Sequence, residues 1–126
     1  SRKQIFDLWL DALQSGKYKQ GSGFLYSITG KFCALGVLTD VYIKNNPKCS
    51  EWIKWEKWHS MPGSKTVCKL PDEIVQFMGF KSNLGHLNEP IDNCHSISAA
   101  NDNGISFDRI AHFLRVYGLE VLQLNQ

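Results

Sequence analysis

The feature that most constrains the fold is an almost uninterrupted apolar segment, "CALGVLTDVY" at residues 33–42. On a helix, its apolar side chains cover most of the surface rather than one stripe. The positions concerned are Cys33, Leu35, Val37, Leu38, Val41 and Tyr42. Pro47 in the following "NNPKCS" cannot continue a helix, so the helix ends before it. The sequence therefore predicts a central, well-buried helix on which other elements pack.

Three further segments carry the period and the end signals of amphipathic helices. "RKQIFDLWLDALQSG" repeats apolar residues at helical spacing and stops at Gly16. "LPDEIVQFMGF" places Pro71 at the first helical position and ends at Gly79. "FDRIAHFLRVYG" follows Ser106, a residue type that caps helices, and ends at Gly118. About four helices are expected in all.

Short extended segments account for most of the remaining chain. We predict strands in "FLYSI", "KTVCKL", "HSISAA" and "LEVLQL", and a polar loop over residues 81–94. "SEWIKWEKWH" suits either a short helix or an irregular aromatic loop. No repeat or linker divides the chain. The expectation is a single α+β domain over residues 1–126, with about four helices packed on a small, mainly antiparallel sheet.

Charge and hydropathy exclude two classes of partner. The chain has 126 residues and a formal net charge of +2, which is too small for a protein that binds long nucleic acid. No apolar run approaches the roughly 20 residues that span a bilayer, so no membrane partner is expected. Residues 44–69 carry six lysines against two glutamates. That local excess indicates either a solvated surface or contact with a small anionic ligand.

The cysteines do not predict a metal site. The four of them form no CxxC pair, and no secretory signal pattern opens the chain, so we expect reduced thiols in a cytosolic protein. A mixed zinc site would match no familiar ligand spacing, and neither a metal nor a cofactor is expected. The residues that such a site would need are Cys49, His59, Cys68 and either Cys94 or His95.

Cys33 permits two interpretations. A thiol at a helix start gains acidity from the helix dipole, and a histidine can then take its proton. His95, followed by Asn101 and Asp102, supplies the residue types for that arrangement. The alternative is that Cys33 packs as a small apolar side chain. We favour packing and assign no catalytic residue, with a cysteine-dependent hydrolase built on Cys33, His95 and Asp102 as the alternative.

The segment "SGKYKQGSG" is a candidate ligand-binding loop. It lacks the GxxxxGK[ST] order of a P-loop, but backbone amides and two ammonium groups there can hold a phosphate. A plain connection between a helix and a strand is the alternative. The candidate binding residues in this loop are Lys17, Tyr18, Lys19, Gln20 and Gly21.

Two later segments add candidates. Trp58 in "WIKWEKWH" lies close to lysines, a composition that can stack a nucleobase, although tryptophan more often packs on the core. Asn101 and Asp102 in "ANDNG" can read ribose hydroxyls or the edge of a base. Simple turn and capping chemistry is the alternative for that pair.

The ordered set of motifs resembles a family of small, mostly uncharacterised proteins encoded by phages and prophages. The set comprises "LWLDALQSGKYKQGSG", "GKFCALGVLTDVY", "LPDEIVQFMGF" and "ANDNGISFDRIAHFL". Many relatives carry a second cysteine where this chain has Phe32. The resemblance implies phage origin, action in the host cytoplasm and an accessory duty. Small phage proteins of this kind often counter host defences, and one device is a sponge that sequesters a nucleotide signal.

The leading hypothesis is a binding module that captures a small anionic, nucleotide-like ligand. Lys17, Lys19 and the amides near Gly21 would hold phosphate, and Tyr18 or Trp58 would stack the base. The remaining candidates, Gln20, Asn101 and Asp102, would recognise polar edges. Such pockets are often completed at a symmetric interface, so a homo-oligomer is expected. The rivals are the cysteine hydrolase and a protein that inhibits a host defence enzyme directly.

Overall fold

The predicted central helix is present. In the computed structural model, which describes residues 1–49, 51–55, 58–64 and 66–125, helix α2 spans Ala34–Lys44, and every residue from Ala34 to Ile43 is buried. Cys33 caps the helix, because its Sγ accepts a hydrogen bond from the Gly36 amide at 3.3 Å. The indole Nε1 of Trp9 donates to the Ala34 carbonyl at 2.9 Å, which fixes the first helix of the chain against α2.

The other helices are α1 (Arg2–Leu13), α3 (Asp72–Met78), α4 (Ile97–Asp102) and α5 (Phe107–Tyr117), followed by a 3₁₀ turn at Leu119–Val121. Of these helices, α1, α3 and α5 lie where the sequence predicts them, whereas α4 lies where it predicts a strand. Ser106 caps α5 by accepting from the Arg109 amide at 3.1 Å. Gly79 ends α3 with φ +71°, a conformation that glycine adopts without cost. Arg115 joins α5 to α1 through Asp11 and Gln14.

In the described part of the chain, three pairs of short strands complete the α+β domain. They are β1 (Lys19–Gln20) parallel to β2 (Lys31–Phe32), then β3 (Ile53–Lys54) antiparallel to β4 (His59–Ser60), and β5 (His86–Ile91) antiparallel to β6 (Cys94–Ser96). Isolated bridges between Tyr26 and Phe32 and between Ser27 and Trp58 connect the first two pairs. The predicted fold class is confirmed: one α+β domain with small, mainly antiparallel sheets.

Two predictions in the second half of the chain are wrong. "HSISAA" is not one strand, because β6 ends at Ser96 and α4 begins at the next residue. The Ser96 hydroxyl accepts from the Ala99 amide at 3.0 Å, so it caps a helix where the sequence indicated a continuing strand. The predicted polar loop over residues 81–94 contains β5, which pairs with β6 across a turn at Asp92 and Asn93. Both turn residues have positive φ, which asparagine and aspartate tolerate.

Three other predicted strands are reduced to single bridges or absent. In "FLYSI" only Tyr26 and Ser27 form bridges, and in "LEVLQL" only Leu122 and Leu124 do. The described part of "KTVCKL" forms no strand, and Lys65 lies outside the described residues. The "SEWIKWEKWH" segment supplies β3 and β4, with Ser50, Glu56 and Lys57 outside the described residues. Among the helices that are described, none is long and apolar enough to cross a membrane.

Candidate functional site

A pocket rich in aromatic side chains lies between α2, the β1–β2 pair and the β3–β4 pair. Its volume is about 530 Å³, within the range usual for small-ligand sites. We call it the aromatic pocket, and it is lined by Lys17, Tyr18, Tyr26, Phe32, Asp40, Ile43, Lys44, Glu51, Trp52 and His59. Three sections of chain that are separate in sequence therefore meet at one site.

The rings of the pocket are held in fixed relative positions. Tyr26 lies between Phe32 and His59, with ring centroids 4.0 Å and 3.8 Å away and planes within 12° of parallel. Both faces of Tyr26 are therefore covered. Trp52 meets Tyr26 at 5.2 Å and an interplanar angle of 72°, and Tyr18 meets Phe32 edge-on at 4.9 Å. Among the described rings, none stacks in parallel on Trp52, so this indole keeps a face for a ligand.

The buried carboxylate of Asp40 positions the rings of Tyr18 and Trp52. Asp40 is 4% exposed and accepts hydrogen bonds from the Tyr18 hydroxyl, from Trp52 Nε1 at 2.9 Å and from Lys44 Nζ at 2.9 Å. Burial, and then the bond to Asp40, raise the pKa of Tyr18 to about 12. The same carboxylate raises the pKa of Lys44. Tyr18 is therefore protonated and Lys44 charged near neutral pH, and neither can serve as a proton acceptor.

The polar groups of the pocket are only partly used by the protein. The side chain of Lys44 is 67% exposed although Asp40 holds its ammonium group, and Lys17 is exposed. The Nδ1 atom of His59 is buried and has no hydrogen-bond partner among the described residues. Because this atom is closed off from the pocket, a ligand can use the lysine ammonium groups but not His59 Nδ1.

A larger open groove lies elsewhere on the surface. It has a volume of about 850 Å³ and is lined in part by Leu8, Tyr42 and Phe77, of which Leu8 and Phe77 are exposed. Of the described residues that line it, none is a buried charged side chain that would orient a ligand. Size alone favours this groove, but convergent polar groups favour the aromatic pocket, which we take as the candidate site.

Some of the ligand-binding residues predicted from the sequence line the aromatic pocket, and others lie outside it. Lys17 and Tyr18 line the aromatic pocket. Lys19 is exposed on β1 opposite Lys31, and Trp58 stacks on Phe24 with centroids 5.9 Å apart. Lys19 and Trp58 are not part of the pocket lining.

Gln20, Gly21 and Asn101 belong to an internal hydrogen-bond network. Gln20 Nε2 donates to Asn101 Oδ1 at 3.0 Å and to the Ile105 carbonyl at 2.7 Å, and its Oε1 accepts from the Phe107 amide. Asn101 Nδ2 donates to the Gly21 carbonyl at 2.8 Å. All the bonding groups of the Gln20 amide are occupied by the protein, so this pair fastens the loop to α4 and α5.

Cys33 and Asp102 line a separate, smaller cavity of about 130 Å³. The thiol is 8% exposed, and burial raises its pKa to about 11, with the negative charge of Asp102 acting in the same direction. His95 is exposed on β6 and is not part of the lining. In the described part of the chain no histidine hydrogen-bonds to Cys33. The cavity therefore brings together two of the three residues of the hydrolase alternative, with the thiol in its protonated form.

Cys33 is expected to resist alkylation in the folded protein. Because its pKa is about 11 and the side chain is buried, the reactive thiolate is scarce at neutral pH. Cys68 is exposed and should react first with iodoacetamide. Peptide mapping by mass spectrometry, without and with urea, measures both rates. Equal alkylation rates at Cys33 and Cys68 in the folded protein would contradict this assignment and support Cys33 as a nucleophile.

Most pocket residues were missed by sequence reasoning. Asp40 carried the one available signal, because it is an acidic residue in a helix predicted to be buried, and Lys44 follows at the i+4 position. Tyr26, Trp52 and His59 gave no signal that distinguished them from core aromatics. Among the described residues, no group of three or more potential ligands is placed to hold a metal ion, and the described cysteines are all free thiols.

Comparisons with known proteins give a family but no activity. A search of curated proteins and a search of solved structures found no match to this chain. Residues 1–117 match the family described as Domain of unknown function (DUF8296), which covers α1 through α5. With nearly the whole chain matched, the protein belongs to the DUF8296 family.

Proposed function

We propose that this protein is a binding module that captures a small anionic ligand with a planar ring in the aromatic pocket. One observation carries the proposal: a buried carboxylate, Asp40, holds Tyr18, Trp52 and Lys44 around one cavity. A buried charge is costly unless it is paired, so its presence here indicates a site built to hold these groups in place. Trp52 supplies a stacking face, and Lys44 and Lys17 supply positive charge for an anion.

The proposed role is sequestration of the ligand without conversion. Tyr18 and Lys44 hold their protons at neutral pH, and Cys33 lies in a different cavity as a protonated thiol. With the resemblance to phage-encoded proteins, this supports an accessory protein that acts in the host cytoplasm and withdraws a nucleotide-derived immune signal. Closure of the open pocket by a second copy of the chain is part of the same proposal.

A thermal-shift screen followed by mass spectrometry tests the proposal. The panel contains cyclic dinucleotides, cyclic mononucleotides, nucleoside monophosphates and ADP-ribose. A ligand at 100 times its Kd adds about 2.7 kcal/mol to the free energy of unfolding, which raises the Tm of a domain of this size by roughly 10 °C. We expect a shift with the ligand recovered intact. A consumed ligand would favour the hydrolase, and no shift with any compound would favour a protein inhibitor.

Trp52 and Trp55 form a matched pair for locating the site. Trp52→Ala is expected to weaken binding roughly tenfold or more, because base–aromatic stacking contributes about 1–3 kcal/mol. Trp52→Phe keeps a ring but loses the Nε1 donor to Asp40, so its affinity should lie between those of the wild type and Trp52→Ala. Trp55 is 53% exposed and is not part of the pocket lining, so Trp55→Ala should bind like the wild type. An equal loss in Trp52→Ala and Trp55→Ala would place the site elsewhere.

A further inference from the structure

We infer that the ligand is a mononucleotide, with one base and one phosphate group, rather than a dinucleotide or a nucleoside triphosphate. This inference rests on the proposed function, because it assigns the ligand class of the same pocket. It is carried by three properties of the pocket: the unstacked ring of Trp52, the balance of charge and the unused donors of one lysine.

Trp52 is the ring of the pocket lining on which no other described ring or cation is stacked. Tyr26 is covered on both faces by Phe32 and His59. Tyr18 has the Lys44 ammonium over its ring, 5.8 Å from the centroid. The Trp52 indole therefore accommodates one base, since each stacked base needs its own aromatic surface.

The lining carries no net charge, which disfavours a ligand with several phosphates. Lys17 and Lys44 contribute two positive charges, whereas Asp40 and Glu51 contribute two negative charges. Asp40 is already paired with Lys44, so only part of the positive charge of Lys44 is available to a ligand. A second phosphate would face the carboxylates without a cation of its own, and like charges at short range are unfavourable. The Glu51 carboxylate is suited instead to accept from a ribose hydroxyl or a base amino group.

Lys44 is built to hold an anion without breaking its internal bond. An ammonium group has three N–H donors, and Asp40 Oδ2 accepts from Nζ at 2.9 Å. The remaining donors belong to a side chain that is 67% exposed. Because Asp40 lies one helical turn earlier on α2 and is buried, it restrains the lysine at the rim of the pocket. A phosphate can therefore bind a pre-positioned ammonium group.

Titration of the full chain with defined nucleotides tests the inference. The probes are adenosine and guanosine, their 5′-monophosphates, their 3′,5′-cyclic monophosphates, their 5′-triphosphates and the two matching cyclic dinucleotides, all at one ionic strength. The best monophosphate, linear or cyclic, should bind at least tenfold more tightly than its nucleoside, its triphosphate and its cyclic dinucleotide. If a dinucleotide or triphosphate binds more tightly, the proposed function survives and the mononucleotide inference falls. If none of the probes binds, both fall.

Two lysine variants identify the phosphate contact. Lys44→Gln should weaken monophosphate binding about tenfold while the affinity for the nucleoside stays within twofold, which also shows that the variant is folded. Lys44→Arg should restore most of the loss. Lys54→Gln is the control, because Lys54 is exposed on β3 and is not part of the pocket lining. An unchanged monophosphate affinity in Lys44→Gln would overturn the assignment.

Discussion

Replacing Gly36 by alanine is expected to lower the free energy of unfolding by about 3 kcal/mol or more, because the new methyl group would collide with backbone rather than with a movable side chain. A β-carbon at this position would lie 2.9 Å from Leu25 Cα and closer still to the carbonyl carbon and oxygen of Leu25. The central helix α2 crosses the chain at residue 25 with no room for any side chain.

Leu25 cannot move aside to make that room. Its side chain is fully buried, its amide donates to the Val67 carbonyl at 2.6 Å, and its carbonyl accepts from the Cys33 amide at 3.3 Å. A shift of this segment would therefore break two buried backbone hydrogen bonds, each of which is costly to leave unmade. It would also displace Tyr26, the next residue, whose ring forms the middle of the aromatic stack in the pocket.

Urea unfolding of Gly36→Ala measures this loss, with Gly104→Ala as the control. Gly104 has φ +80° and open space around it, so alanine there suffers only the left-handed backbone penalty of about 1–2 kcal/mol. Gly36→Ala should shift the urea midpoint further than Gly104→Ala does, or prevent folding. A midpoint for Gly36→Ala at or above that of the control would mean that α2 and residue 25 do not approach as described.

The features that were predicted well from the sequence are those determined by residues close together along the chain. The apolar segment around Val37 and the end signals at Ser106 and Gly79 gave α2, α5 and α3 correctly, since hydrophobic period and capping are local. The strands were predicted poorly because most contain two residues and are held by partners distant in sequence. Ser96 illustrates the difficulty, because it ends β6 and also caps α4, and the sequence predicted only the strand there.

The candidate site was predicted only in part for the same reason. Lys17 and Tyr18 stood out locally, but Asp40, Trp52 and His59 become a site only when α2 and the β3–β4 pair meet the chain near residue 26. The bridge between Ser27 and Trp58 that arranges this contact has no signature in either segment. Polarity also misled the prediction at Gln20, because a polar residue in an otherwise apolar pattern can serve the fold instead of a ligand.

Asn101→Ala is expected to reduce stability rather than ligand affinity, by about 2–4 kcal/mol. Asn101 is 4% exposed, and its Oδ1 accepts from the Ala34 amide at the start of α2 and from Gln20 Nε2, both at 3.0 Å. Alanine would leave the Ala34 amide and the Gly21 carbonyl without these partners in a buried region, and an unsatisfied buried group costs more than the bond itself contributed.

The control for this variant is Asn103→Ala, two residues further along the chain. Asn103 is exposed, and among the described residues its side chain donates to the Ala99 carbonyl alone, so its loss should cost less than about 1 kcal/mol. Thermal unfolding gives the two stabilities, and nucleotide titration below the Tm of each variant gives the affinities. If Asn101→Ala kept its stability but lost affinity, the asparagine would contact the ligand as its sequence pattern predicted. The ligand would then bind near Asn101, in the smaller cavity beside Cys33, and the aromatic pocket would not be its site.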